Sequence, residues 1–129
     1  MNAPTVAPVV KRLTQEQIQR YADASGDHNP IHVDEAFART TPFGGTIAHG
    51  MLVLASIAEM MAAAFGEAWL MGGRLRVRFR APARPGDTIT ASAQPQMARD
   101  GTTPAYAVEC RNQQGELLIT GTAEVPGGG

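Results

Sequence analysis

The sequence has 129 residues, enough for one domain with a modest hydrophobic core and with little room for a second. Hydrophobic residues make up 43% of the chain and charged residues 18%, which is typical of soluble globular proteins. The formal net charge is -1, so the chain carries no general positive field for a polyanion. This balance argues against a nucleic-acid partner.

Two features of the sequence bear on the cellular compartment. Residues 1–10 lack the basic start and the long apolar run of a secretory signal. The longest apolar stretch, residues 51–65, is interrupted by Ser56 and Glu59 and falls short of the roughly 20 residues that cross a bilayer. We therefore expect a cytoplasmic protein with no membrane association.

The single cysteine, Cys110, excludes an intrachain disulfide and fits a reducing compartment, although a lone thiol could also act as a nucleophile. Cys110 stands between Glu109 and Arg111, in a run where apolar and charged residues alternate. This alternation is typical of a half-buried strand, so we expect Cys110 to pack in the core.

Helix signals occupy the first half of the chain. Thr14 and Gln17 have the spacing of a capping box, which predicts a helix from there to about Ser25. Gly26 can then adopt the left-handed conformation that ends it. Asp34 is placed to cap a second, short helix.

The stretch after His49 and Gly50 is apolar on almost every side, which favours a long helix buried on most of its surface. Alternating apolar residues predict covering strands around Leu75 to Phe79, around Ile89 to Ala93, from about Ala105 to Arg111 and from Leu117 to Val125. Residues 99–101 and 113–116 are predicted as hairpin turns. The sequence thus predicts an α+β fold, with an antiparallel sheet wrapped round a long central helix.

The densest cluster of reactive side chains lies between residues 27 and 34. Pro30 pushes the residue before it toward an extended conformation, which favours a shaped loop over a helix. The carboxylate of Asp27 and the imidazole of His32 could converge there on one water molecule, an arrangement suited to the addition of water. The alternative is a turn in which Asp27 and Asn29 bond only to nearby backbone.

The start of the long helix is a second candidate feature. The first amides of a helix have no partner within it and favour negative charge, so they could receive an oxyanion. Gly50 has no side chain, so a carbonyl oxygen could approach its N–H closely. The alternative is that Gly50 only permits tight packing. An acid/base loop together with such a helix start is stronger evidence for a site than either feature alone.

The runs from Tyr21 to His32 and from Phe43 to Leu52 resemble the hydratase motif of MaoC-like dehydratases and (R)-specific enoyl-CoA hydratases. The family pattern Gly-Asp-x-Asn-Pro-x-His is complete at residues 26–32, with His28 in the variable position. Residues 85–88 and 112–116 are also similar to the family.

The resemblance covers about residues 13–125, which leaves residues 1–12 as an N-terminal extension and 126–129 as a flexible, glycine-rich tail. It implies a single hot-dog domain and a homodimer with active sites near the subunit interface. The implied reaction is syn hydration of a trans-2-enoyl thioester to an (R)-3-hydroxyacyl thioester.

By the same resemblance, Asp27 and His32 are the catalytic pair that activates water and returns a proton to the α-carbon; which residue moves which proton stays open. Asn29 shapes the loop, and the Gly50 amide binds the thioester oxygen. From its place before the helix, and not from the resemblance, His49 is also included in the candidate substrate-binding set, although a hydrogen bond to backbone at the helix start is the favoured interpretation. No cofactor is implied. Coenzyme A, rather than an acyl carrier protein, is the favoured carrier of the acyl group.

His28 and His32 lie four residues apart with Asp27 and Asp34 nearby, which suggests a metal site. Two ligands at this spacing align only on a helix, and Pro30 stands between them. No further histidine or thiolate at a suitable spacing completes a tetrahedral set. We therefore expect no metal.

Two charged features remain outside the candidate site. Arg74, Arg76, Arg78 and Arg80 alternate with other residues and should emerge from one sheet face. That face is either solvated or binds the phosphates of coenzyme A or an acidic carrier protein. Glu59, within the apolar helix, is expected to pair with an arginine of the sheet or of a partner subunit.

Two other functions share the ability to bind an acyl thioester. One is an acyl-thioester hydrolase, against which the complete hydratase loop counts. The other is a non-catalytic acyl-thioester-binding or heterodimer-stabilising subunit, against which the presence of both Asp27 and His32 counts.

Overall fold

A computed structural model describes residues 4–97 and 104–126. It shows a five-stranded antiparallel sheet packed on one long helix, which confirms the predicted α+β architecture. The helices are α1 (Gln15–Ser25), α2 (Pro30–Val33), α3 (Glu35–Ala38), α4 (Gly50–Phe65) and α5 (Glu67–Gly72). The strands are β1 (Val9–Arg12), β2 (Arg74–Phe79), β3 (Thr88–Gln96), β4 (Ala105–Arg111) and β5 (Leu117–Glu124).

The strands are ordered β1-β3-β4-β5-β2, so β1 and β2 form the two edges of the sheet. The predicted turn between β4 and β5 is confirmed, with Gly115 in the left-handed conformation at a φ of 79°. The turn predicted at residues 99–101 lies outside the described residues.

Cys110 pairs with Ala91 on one side and Ile119 on the other. It is fully buried, and this burial raises the pKa of its thiol, which confirms the packing role.

Strand β1 was not predicted, because it has no neighbouring hairpin to reveal it. Its residues fall within the expected N-terminal extension, yet Val9 pairs with Ala91 and Arg12 with Thr88. Only Val9 of the strand is partly buried. The run is therefore too short and too exposed to show an alternating pattern, and its pairing with β3 defines it as a strand.

The helix signals near the N-terminus are confirmed. Thr14 caps α1 in a reciprocal capping box with Gln17, and Gly26 ends the helix at a φ of 81°. The expectation that Pro30 keeps residues 27–32 out of a helix is wrong for the second half of that segment. Pro30 is the first residue of α2, a position where its fixed φ is favourable and its missing N–H costs nothing.

The central helix α4 is covered on one side only. Val53, Ile57, Met60 and Met61 are buried against the sheet. The opposite side is open, and Met51 at its start is 58% exposed. Burial on most sides, as the apolar sequence of the helix predicts, is therefore not reached within one chain.

The open side of α4 also carries Glu59. The expected structural pair is present, but its cation is a lysine of the sheet and not an arginine: the Glu59 carboxylate pairs with Lys11 of β1. The side chains are 51% and 45% exposed, so this is a surface ion pair at a sheet edge. The edge strand β1 lies near enough to α4 for its lysine to reach the helix.

The arginines of β2 lie on the exposed side of the opposite edge strand. Arg74, Arg76 and Arg78 are all exposed and pair in register with Glu124, Thr122 and Thr120 of β5. Phe79, expected to face the core, is 54% exposed at the end of the strand.

No helix among the residues that the structure describes is long and apolar enough to cross a membrane.

Candidate active site

The loop after α1 orients Asp27 through short-range hydrogen bonds. Oδ1 of Asp27 accepts from the N–H of Asn29 at 3.2 Å. The side chain of Asn29 in turn accepts from the N–H of Ile31 at 3.1 Å and caps α2. These bonds are those of the structural turn considered for this segment. They use only one carboxylate oxygen of Asp27, and the other faces His32.

His32 is held in one orientation by a backbone carbonyl. Its Nδ1 lies 2.8 Å from the carbonyl oxygen of Ile47. A carbonyl only accepts, so Nδ1 carries the hydrogen, and in the neutral ring Nε2 keeps its lone pair. This Nε2 lies 4.0 Å from Oδ2 of Asp27. Two atoms that each lie about 2.8 Å from one water are roughly 4 to 5 Å apart, so the pair has the spacing to share a water molecule.

His49 lies behind this pair and is buried, with 3% of the residue exposed. Its Nε2 is 3.0 Å from the backbone carbonyl oxygen of Asp27. Its ring stacks on that of His32, with 3.8 Å between centroids and 26° between planes. Tyr21 of α1 contacts the same ring at a centroid distance of 4.8 Å. The backbone partner of His49 is therefore in the Asp27 loop.

Gly50 begins α4 directly after His49, which places the helix start beside the His32 ring. Among the described residues, the N–H of Gly50 has no hydrogen-bond acceptor. A Cβ atom at this position would lie 3.0 Å from Cε1 of Phe79, closer than most real Cβ contacts. An unpaired N–H at the N-terminus of a 16-residue helix can bind an oxygen atom that carries negative charge.

Further polar residues hold the loop in place through a chain of hydrogen bonds. The sequence analysis did not predict them. The side chain of Gln15 donates to the carbonyl of His32 at 2.9 Å and accepts from the hydroxyl of Thr46 at 2.8 Å. The N–H of Thr46 donates to Oε2 of Glu35 at 3.2 Å, and this bond is the main cause that lowers the pKa of Glu35. These residues lie far apart in the chain and match no short motif.

Two members of the predicted cluster lie outside the site. His28 forms an exposed pair with Asp23, with 2.9 Å between Nε2 and Oδ1, and this hydrogen bond lowers the pKa of Asp23. Asp34 accepts from the N–H of Phe37 at 3.1 Å and caps α3, as predicted. The histidine pair considered as metal ligands is therefore divided between two environments.

A different trio brings potential ligand atoms together. Asp27, His32 and His49 each place one such atom within 4.8 Å of the others. Both rings already use one nitrogen on a backbone carbonyl. The expectation that the protein needs no metal stays a prediction. The residues on which it must be tested are Asp27, His32 and His49.

The fold and the site together define a hot-dog domain in which a carboxylate–imidazole loop lies beside the N-terminus of the central helix. A family model described as "MaoC like domain" matches residues 2–114. The chain belongs to this family.

Individual relatives agree with this membership. The chain is 31% identical to an (R)-specific enoyl-CoA hydratase of Aeromonas caviae, over 92% of this chain and 90% of that one. It is 36% identical to an (R)-specific enoyl-CoA hydratase of Rhodospirillum rubrum, but the match spans 67% of this chain and only 60% of the relative. The solved structure of an R-hydratase from Pseudomonas aeruginosa superimposes with a TM-score of 0.83 at 28% identity, covering 98% of this chain and 82% of that one.

Proposed function

We propose that the protein catalyses the reversible hydration of trans-2-enoyl thioesters to (R)-3-hydroxyacyl thioesters. The observation that carries this proposal is the 4.0 Å separation of Asp27 Oδ2 and His32 Nε2 beside the Gly50 N–H, which has no acceptor among the described residues. A proton acceptor, a proton donor and an oxyanion site are the groups that water addition to a conjugated thioester requires. Relatives named as (R)-specific enoyl-CoA hydratases support the reaction and its stereochemistry.

In the proposed mechanism, Asp27 and His32 hold a water molecule between Oδ2 and Nε2. One of the two groups takes a proton from this water as its oxygen bonds to the β-carbon of the substrate. The electron pair of the double bond moves toward the thioester carbonyl, whose oxygen gains negative charge. The N–H of Gly50 and the positive end of α4 stabilise that charge. The α-carbon then takes a proton from the pair, and the number of protons on the pair is restored.

The two histidines differ in their access to substrate. His32 is 12% exposed at its side chain, and its Nε2 faces the exposed carboxylate of Asp27. His49 lies on the far side of the His32 ring and is almost completely buried. The proposed reaction therefore uses His32 as the imidazole that contacts the reacting atoms and requires no cofactor. Coenzyme A is the proposed carrier of the acyl group.

We further propose that the protein acts as a cytoplasmic homodimer. One chain leaves apolar side chains uncovered on the open side of α4, on α5 and at the end of β2: Met51, Leu70, Met71 and Phe79 are between 54% and 80% exposed. Apolar groups this accessible favour contact with another surface. A second copy packed on these residues would cover them, and the family resemblance implies active sites near such an interface.

Incubation with crotonyl-CoA tests the proposed reaction. Loss of the enoyl absorbance should occur without release of free thiol, and chiral analysis of the product should give the (R)-3-hydroxy isomer. The Asp27→Asn variant is the control, because it keeps the size of the side chain and removes its charge. Thiol release without loss of the double bond would instead identify an acyl-thioester hydrolase, and binding without either change would identify a non-catalytic subunit.

A further inference from the structure

His49 has a buried polar atom that the proposed mechanism does not use. Its Nδ1 is inaccessible to solvent and has no hydrogen-bond partner among the residues that the structure describes. Its other ring nitrogen is bonded to the carbonyl of Asp27. A buried polar atom without a partner is destabilising, so fold stability alone does not explain a histidine at this position.

The contacts of His49 connect both members of the catalytic pair. Since the carbonyl of Asp27 can only accept, the Nε2 of His49 carries the hydrogen and donates to it. The face of the ring lies against the His32 ring at 3.8 Å. One side chain thus fixes the backbone that carries the carboxylate and supports the plane of the imidazole.

The position of His49 in the chain adds rigidity to these contacts. It precedes the first residue of α4 and makes no side-chain capping bond to that helix. The carbonyl of His49 accepts from the N–H groups of Leu52 and Val53 at 3.0 and 3.2 Å, so its backbone is part of the first helical turn. Because helix α4 holds the backbone of His49 in place, the ring of His49 in turn holds the Asp27 loop at a fixed position relative to that helix.

We propose that His49 is a positioning residue that sets the separation of Asp27 and His32 through its hydrogen bond to the Asp27 carbonyl and its stacking on His32. This inference rests on the proposed hydratase function. It replaces direct substrate contact, the role considered for His49 from its place in the sequence, with an action through the two catalytic residues. The hydrogen bond to the Asp27 carbonyl contributes more to this positioning than the stacking on His32 does, because Asp27 is the more exposed of the two catalytic residues.

Two substitutions separate these contacts. His49→Phe keeps a flat ring against His32 but loses the donor to Asp27, and it also removes the unpaired Nδ1. His49→Gln places an amide N–H where Nε2 lies and loses the ring. Steady-state hydration of crotonyl-CoA and thermal unfolding are measured for both variants and for the original protein.

We expect His49→Phe to lower kcat by about 10- to 100-fold with KM nearly unchanged, because small displacements of catalytic groups are costly to rate. Its unfolding midpoint should equal or exceed that of the original protein. His49→Gln should regain most of the lost kcat. Combined with Asp27→Asn, His49→Phe should lower kcat little further, since it acts through the lost carboxylate. A raised KM with unchanged kcat, or full activity in His49→Phe, would overturn the proposal.

A second measurement needs no substrate and keeps the two proposals separable. In protein containing ¹⁵N-histidine, the nitrogen shifts should assign the hydrogen to Nε2 in His49 and to Nδ1 in neutral His32. If no thioester is hydrated but these forms are found, the proposed function fails while the geometry around His49 stands. A neutral His49 ring with its hydrogen on Nδ1 and none on Nε2 would refute the donor role, whatever the activity.

Discussion

Nε2 of His32 lies 4.0 Å from Oδ2 of Asp27, and the two side chains differ sharply in exposure, at 12% and 54%. The sequence places both residues on one polar segment and gives no reason to separate them. In the structure, the carboxylate of Asp27 is exposed on the loop. The imidazole of His32 is fixed by its hydrogen bond to Ile47 and by stacking on His49. Their substitutions should therefore affect rate alike and stability differently.

Asp27→Asn and His32→Ala are each expected to lower the hydration rate by about 10²- to 10⁴-fold, the usual contribution of a general acid or base. The losses should not add in the double variant, because the two groups act on one water. Asp27→Asn should leave the unfolding midpoint unchanged, since an amide oxygen still accepts from Asn29. His32→Ala should lower it, because the bond to Ile47 is lost, at about 1 kcal/mol. A folded single variant with near-original activity would show that the loop is structural.

A proline in place of Gly50 would remove the N–H at this position without disturbing the start of the helix. Proline is favoured at the first position of a helix, and the extended conformation of His49, with φ -60° and ψ 135°, is compatible with a following proline. Gly50→Pro should lower kcat by roughly 10²- to 10³-fold, as loss of an oxyanion donor does elsewhere. Gly50→Ala is the matched control, because it adds the same Cβ near Phe79 and keeps the N–H. Equal losses in both variants would assign Gly50 to packing alone.

A homodimer is expected in sedimentation at assay concentrations. Met71→Glu should weaken it, because Met71 is 80% exposed among the uncovered apolar residues near β2. Met97→Glu is the control, since Met97 is exposed to the same degree, at 79%, and lies after the end of β3. An active monomer of the original protein would contradict the dimer, and equal effects of the two substitutions would contradict the location of its interface.

Glu35 should make the stability of the site loop depend on pH in the acid range. The N–H of Thr46 holds the folded pKa of Glu35 below its ordinary value of 4.5. Its charge therefore contributes stability that is fully present above about pH 4.5 and is lost as the pH falls through the lower folded value. Glu35→Gln should flatten the dependence of the unfolding midpoint over this range. Glu16→Gln, which removes a carboxylate paired with Arg20 on the surface of α1, is the control. Unchanged pH dependence in Glu35→Gln would contradict the assignment.

Activity is expected to be independent of added metal. The trio of Asp27, His32 and His49 offers ligand atoms, but the proposed reaction uses two of these residues for proton transfer and the third for positioning. Exhaustive treatment with a chelator should leave hydration unchanged. Loss of activity that zinc restores would show that the trio binds a metal.

Local signals in the sequence predicted the features that depend on neighbouring residues. The capping box of Thr14 and Gln17 located α1, and alternating apolar residues located β2 to β5. The motif at residues 26–32 contains Asp27 and His32. The bonds from His49 to Asp27 and from Gln15 to His32 join residues 22 and 17 positions apart, where no periodicity or turn rule applies. Strand β1 was missed because its four residues are mostly exposed and show no alternating pattern.

The pairing of β1 with β3 also bears on the order in which the protein folds. Val9 meets Ala91 roughly 80 positions later, whereas β4 and β5 are joined by a short turn. Closing a long loop costs more chain entropy than closing a short hairpin, and non-local pairings form slowly. The loop at residues 27–32 and the start of α4 both lie inside the long loop. We therefore expect catalytic competence to return late in refolding, after the β4–β5 hairpin has formed.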